Sequence, residues 1–155
     1  MNYEFDFSFL GEYGQDLWDG TLLTLWMTAV SIIPGFVVGT ACAVGRLYGP
    51  PWVRKAATVY VEAIRNTPLV IQVFWLFFGL AVLSVRIDAF YAAVIALVIN
   101  VGAYTAEIMR AGFESIPKGQ IEAASCLALS RWQSLLYVQL PQAVGEAQLL
   151  VALLD

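Results

Sequence analysis

Histidine is absent from this chain, and charge is scarce: Asp, Glu, Lys and Arg together supply 13% of its 155 residues. The missing imidazole excludes histidine-ligated zinc, Ser-His nucleophiles and histidine proton relays. The two cysteines, Cys42 and Cys126, are too far apart for a CxxC site and too few for a disulfide framework, so they read as small buried or interface residues. The only lysines are Lys55 and Lys118, and neither ends a G-x-x-x-x-G-K-[ST] loop. If ATP is used, another chain binds it. With a net charge of -4 and no basic stripe, the chain has no feature that attracts nucleic acid. No nucleophile with a base and no cluster of metal ligands can be assembled, so no catalytic residue, metal or cofactor is assigned.

What the chain has in abundance is apolar surface: 60% of residues are hydrophobic and the mean hydropathy is +0.74. Soluble domains carry about a quarter charged residues, so this composition indicates a membrane protein. Residues 1–19 hold Glu4, Asp6, Glu12, Asp16 and Asp19 without Lys or Arg, which is not the basic start of a cleaved signal peptide. They are expected to form a retained, extracytoplasmic N-terminal segment. From Thr21 to Val44 no residue is charged, and about 20 residues rising 1.5 Å each cross a hydrocarbon core of roughly 30 Å. Within that first span Gly35 and Gly39 form a G-x-x-x-G step that lets a second helix approach closely. Gly49, Pro50 and Pro51 break the helix, and a second region is predicted over about 56–84, kinked or divided at Pro68. A third span is predicted over about 89–106.

Basic residues near span ends are retained on the cytoplasmic side. With the N-terminus outside, Arg46, Arg54, Lys55, Arg65, Arg110, Lys118 and Arg131 lie inside and only Arg86 outside. That asymmetry predicts an N-out, multi-pass protein of the cytoplasmic membrane.

Two Glu-x-x-Arg pairs, Glu62 with Arg65 and Glu107 with Arg110, each share a helix face near a cytoplasmic span end. Ionisable groups there either mark a pathway, a gate or a proton-linked site, or form interfacial ion pairs that orient the helices. Gln72, Asn100 and Thr105 are polar groups in or at the ends of spans that either line a substrate path or hydrogen-bond neighbouring helices.

The stretch "GQIEAASCLALSRWQSLLYVQLPQA" is the least membrane-like long segment of the second half. A helix is predicted over 120–129, with Ile121, Ala124, Leu127 and Ala128 on one apolar face. It is too short to span a bilayer. It lies either at the membrane interface or in a partner's groove.

The stretch "EAASCLALSRWQSLLYVQLPQA" resembles the EAA loop of membrane subunits of ATP-binding cassette (ABC) importers. "VEAIRNTPLVIQVFWLFFGL" and "AYTAEIMRAGFESIPKGQIEAA" are similar to the polar amino acid permease branch. The resemblance covers about Gly20 to Ala143. It implies an all-α polytopic membrane protein, a type I ABC importer transmembrane domain over 20–155, with three complete spans and a cytoplasmic coupling helix within an EAA loop of about 117–141. It implies amino acid uptake across the bacterial inner membrane, with ATP hydrolysed on a separate subunit. The implied partners are ABC ATPase subunits, a second permease subunit (the same or different), an extracytoplasmic amino acid-binding protein and membrane lipid.

Carried over by position, Glu122, Ala123 and Ala124 are the EAA residues, and Leu140 with Pro141 closes the loop. Small Ala123 and Ala124 suit insertion into a groove, and Glu122 suits a partner's cation or helix N-terminus. Two departures stand out. Ala128 replaces the usual glycine of "LGLS", which implies a more helical turn or weaker coupling. After "LPQA" the family continues through two further spans, whereas "VGEAQLLVALLD" is too short to cross a bilayer, so a fragment, a frameshifted product or an incomplete gene model is expected. The other readings are a non-transporting remnant or interaction protein, and a proton-coupled secondary transporter motivated by Glu62 and Glu107.

Overall fold

Helix α1, Gly14–Tyr48, extends beyond its uncharged stretch at both ends because nothing before Gly49 breaks it. The computed structural model describes residue 11 and residues 13–146, so most of the expected extracytoplasmic segment and most of "VGEAQLLVALLD" lie outside the described residues. The hydroxyls of Thr21, Thr24, Thr28 and Ser31 each donate to the carbonyl four residues back, at 2.7–2.9 Å. Polar side chains on an apolar helix are thereby satisfied without water.

Pro51 opens α2, Pro51–Arg65, at the position where a missing N–H costs nothing. A break at residues 66–68 follows, then α3, Leu69–Val82, which contains a π-helical turn over Trp75–Gly79. The two helices are bent by 109°. Pro68 disfavours helical backbone at Thr67, and the carbonyls freed by the break find local donors. Asn66 Nδ2 donates to Glu62 O at 2.8 Å, Thr67 Oγ1 to Ala63 O at 2.8 Å, and Gln72 Nε2 to Ile64 O at 3.0 Å and Thr67 O at 2.8 Å.

Asp88 caps α4, Ala89–Ser115, by accepting from Phe90 N at 2.8 Å. This helix is longer than the predicted third span, since the polar residues after Ala106 continue the same helix rather than leaving it. α5, Lys118–Cys126, is short, and α6 is the helical run 131–146, with a π-helical turn over Leu135–Gln139. Helices α1 and α4 are long and apolar enough to cross a membrane, and the bent pair α2–α3 supplies a third crossing only if taken as one span.

The α1–α4 contact is built on small residues. Ser31, Gly35, Gly39 and Ala43 form a buried stripe on α1, and Ala92, Ala96, Ala103 and Ala106 are fully buried on α4. A Cβ at Gly35 would stand 2.6 Å from Val101 Cγ1, and one at Gly39 2.5 Å from Thr105 Cβ and 2.7 Å from Gly102 O. Backbones approach as closely as the missing side chains allow. Meanwhile Trp26, Ile33 and Val37 on the opposite side of α1 are exposed, an arrangement suited to lipid. At the end of the bundle that carries α5, Ala43, Met109, Phe113, Ile116, Leu135 and Ala143 form a compact apolar cluster, with Leu140 packed against it.

Candidate functional site

Two features stand at the α5 end of the bundle: the loop through α5 and a cluster of charged side chains. In the loop, Glu122 and Ala123 are exposed, whereas Ala124 is only 2% exposed. Ala124 therefore packs within the chain and is not free to enter a partner's groove, contrary to the expectation from the motif. Its turn of α5 lies against α6, while the rest of α5, Glu122 and Ala123 included, is exposed. Ile121 and Leu127 are exposed too, and the expected single apolar face is divided by the buried Ala124.

The helix ends at Cys126, short of the predicted 129, because Ala128 has φ +54°. Leu129 N donates to Ala124 O at 3.2 Å and Ala128 N to Ser125 O at 3.0 Å, the paired bonds of a Schellman motif. The turn is thus not more helical for lacking glycine; alanine takes the left-handed conformation there. Next, Ser130 and Gln133 cap α6 reciprocally: Gln133 N donates to Ser130 Oγ at 3.3 Å and Ser130 N to Gln133 Oε1 at 2.9 Å. The S-x-x-Q spacing was readable as a capping box and marks the start of α6. Tyr48 Oη donates to Gln139 Oε1, and Gln139 Nε2 to Ser134 Oγ at 3.1 Å, so α1 is tied to the π-helical turn of α6. Directly after Gln139, Leu140 is half-buried and Pro141 exposed.

The charged cluster is centred on Glu107. Arg46 Nη1 is 2.7 Å from its Oε2, Arg110 Nε is 2.8 Å from its Oε1, and Arg65 Nη1 is 3.8 Å from Oε2. Arg110 also reaches Glu114 at 2.6 Å. One carboxylate thus joins α1, α2 and α4. Arg65 does not pair with Glu62 as its spacing suggested; its guanidinium crosses to α4, above the Tyr104 ring at 5.6 Å, and among the described residues Glu62 enters no ion pair. Arg46 was recognised from sequence only as a topological charge, since a partner 61 residues away leaves no local signal.

Gln72 is 7% exposed at the bend, and its Oε1 lies 3.5 Å from Asn100 Nδ2. Both residues therefore tie helices together, and Gln72 also borders a cleft of about 310 Å³ with Ala63, Ile64, Thr67, Trp75 and Leu76. Tyr60 Oη donates to Ile99 O at 2.6 Å and fixes α2 on α4. Among the described residues no three Cys, Asp or Glu side chains gather to hold a metal ion.

Residues 35–147 match the binding-protein-dependent transport system inner membrane component family. The chain belongs to that family. It is 41% identical over 143 residues to the glutamine transport system permease protein GlnP of Escherichia coli, a match covering 91% of this chain and 65% of that protein. Identity is 36% over 154 residues to the L-cystine transport system permease protein TcyL of Bacillus subtilis, covering 95% and 64%. The chain thus spans just under two thirds of the length of these relatives.

Among solved structures, a crystal structure of an amino acid ABC transporter with histidines superposes with a TM-score of 0.82 at 34% identity, covering 94% of this chain and 68% of that one. An inward facing conformation of the MetNI methionine ABC transporter gives 0.70 at 25% identity, covering 89% and 69%. The fold is that of a type I ABC importer permease, and the chain is a multi-pass inner membrane component.

Proposed function

We propose that this chain is the permease subunit of an amino acid importer, forming part of the translocation pathway and driven by ATP hydrolysis on a separate ABC ATPase. The observation that carries the reading is the exposure of Glu122 and Ala123 on α5, while Ala124 anchors that helix to α6. A partner that pushes on the outer side of α5 moves α6 with it. Through Gln139 and Tyr48, and through the cluster of Met109, Phe113 and Leu135, the push reaches α1 and α4. Alternating access by rigid movement of packed helices follows from such a linkage.

The same reading assigns the remaining partners: a second permease subunit, an extracytoplasmic amino acid-binding protein, and lipid against the apolar outer face of α1. It places the N-terminus outside and α5 in the cytoplasm, where the excess of Lys and Arg is retained. Glu122, Ala123 and the turn at Ala128 form the ATPase-facing side, with Leu140 and Pro141 carrying the loop back to the bundle. The Glu107 cluster with Arg46, Arg65 and Arg110 holds the helix ends near the pathway, and Gln72 with Asn100 braces the bend beside it.

Uptake in vesicles that hold the chain with its ATPase tests the driving force. Collapse of the proton gradient with ATP maintained leaves uptake intact if ATP drives it. Loss of uptake under that condition assigns the work to protons and overturns the proposal.

A further inference from the structure

We propose that the first turns of α2 form a seat for anionic phospholipid headgroups at the cytoplasmic surface of the membrane, a reading that rests on the orientation given above. Val53 sets the seat. A Cβ at Gly45 or at Gly49 would stand 3.0 Å from Val53 Cγ1, so Val53 fills the space that these two glycines leave at the end of α1. Its neighbours are turned away from that contact: Trp52 is 74% exposed, and Arg54 and Lys55 are exposed as well. Arg54 and Lys55 enter no ion pair among the described residues, whereas Arg46 and Arg65 are set against Glu107. The carboxylate nearest to them in sequence, Glu62, follows Lys55 by about two turns of helix.

Beside these cations runs an apolar strip. Trp52, Ala56 and Val59 follow the spacing of one helix face and all three are exposed, while Tyr60 is bonded to α4 and Val61 is buried. A helix of this kind lies with its apolar strip at the acyl boundary and its cations among the phosphates. Tryptophan favours that level of the bilayer. Charge complementarity selects the occupant: the two cations lie just past the uncharged run that ends at Val44, with no carboxylate paired to them, and anionic lipids supply the missing counter-charge. A zwitterionic headgroup has no net charge to offer. Arg54 adds a planar fork that fits phosphate oxygens, and Lys55 adds a point charge.

The test uses the full chain assembled with its ATPase and membrane partner in phosphatidylcholine nanodiscs whose two leaflets have the same composition, so either direction of insertion is read alike. A minor, equal fraction of the lipid is brominated phosphatidylglycerol in one sample and brominated phosphatidylcholine in the other. Quenching of Trp52 is taken as the difference between the assembly and its Trp52→Phe variant. Brominated phosphatidylglycerol is expected to quench as if its local fraction were raised about fivefold or more over that of phosphatidylcholine, and the preference to fall as salt is added. Arg54→Gln combined with Lys55→Gln is expected to remove the preference while leaving quenching by brominated phosphatidylcholine. Arg54→Lys is expected to keep most of it.

Equal quenching by the two brominated lipids in the unaltered assembly overturns the proposal, as does a preference that survives in the double variant. Absence of quenching by either lipid also overturns it, because a protein partner then covers this face. Native mass spectrometry gives a second measure: fewer phosphatidylglycerol molecules retained by the double variant agree with the seat, and equal numbers contradict it. The importer reading and the orientation are judged separately, by ATP-driven uptake and by thiol labelling of Cys126 in sided vesicles.

Discussion

Arg46 Nη1 lies 2.7 Å from Glu107 Oε2, joining the ends of α1 and α4 across 61 residues of sequence. With Arg110 on the other oxygen, Glu107 is the single carboxylate against which three guanidiniums are set. Removing it leaves partly buried cations without a counter-charge, which costs more than the loss of an exposed ion pair. Glu107→Gln is therefore expected to destabilise the solubilised protein by roughly 1–3 kcal/mol. Thermal unfolding measures it, and a double change with Arg46→Met should be less than additive because both remove the same interaction.

A second expectation concerns the turn after α5. Ala128 sits at φ +54°, where an L side chain is disfavoured and glycine is not. Ala128→Gly is expected to stabilise the loop by about 1 kcal/mol. Hydrogen exchange of the amides in 124–130 gives the check: slower exchange agrees, and faster exchange means that glycine's flexibility outweighs the relief of strain.

Close approach of α1 and α4 leads to a third. A Cβ at Gly39 would come within 2.7 Å of a backbone oxygen, which cannot swing away, whereas one at Gly20 would meet nothing within 4 Å. Gly39→Ala is expected to cost about 1–3 kcal/mol by forcing the helices apart. Gly20→Ala is expected to be neutral or stabilising by up to about 1 kcal/mol, since alanine is the better helix former. Parallel melting curves of the two variants compare them under one set of conditions.

Orientation is open to direct labelling, because Cys126 is exposed at the end of α5. A membrane-impermeant thiol reagent is expected to modify Cys126 in inside-out vesicles and to leave it unmodified in right-side-out ones, with Cys42→Ser removing the other thiol. The opposite pattern would place the N-terminus in the cytoplasm.

The all-α membrane character and the approximate helical regions were legible in the sequence because they follow from charge-free runs, Gly-Pro breaks and local spacing. The positions of Gly35 and Gly39 could be read in the same way, as a step where side chains are missing. What escaped were relationships between distant segments. Arg65 was paired with Glu62 by its i,i+3 spacing, yet the side chain turns to Tyr104 and Glu107 on another helix. Ala124 was placed on an outward face by its motif, but the packing of α5 on α6 buries it, and no periodicity of a nine-residue helix reveals what lies beneath. Ala128 shows the reverse: a residue whose type argued for helix is held in a turn by the two hydrogen bonds that close it.

The central claim is that the Glu122–Ala123 side of α5 receives force from an ATPase. Ala123 is exposed, so Ala123→Trp alters that surface without disturbing the buried Ala124 contact. Substrate-stimulated ATP hydrolysis of the reconstituted complex is the most direct measurement. The account predicts that Ala123→Trp leaves membrane insertion and melting temperature unchanged while abolishing the stimulation; stimulation equal to that of the wild type would contradict it.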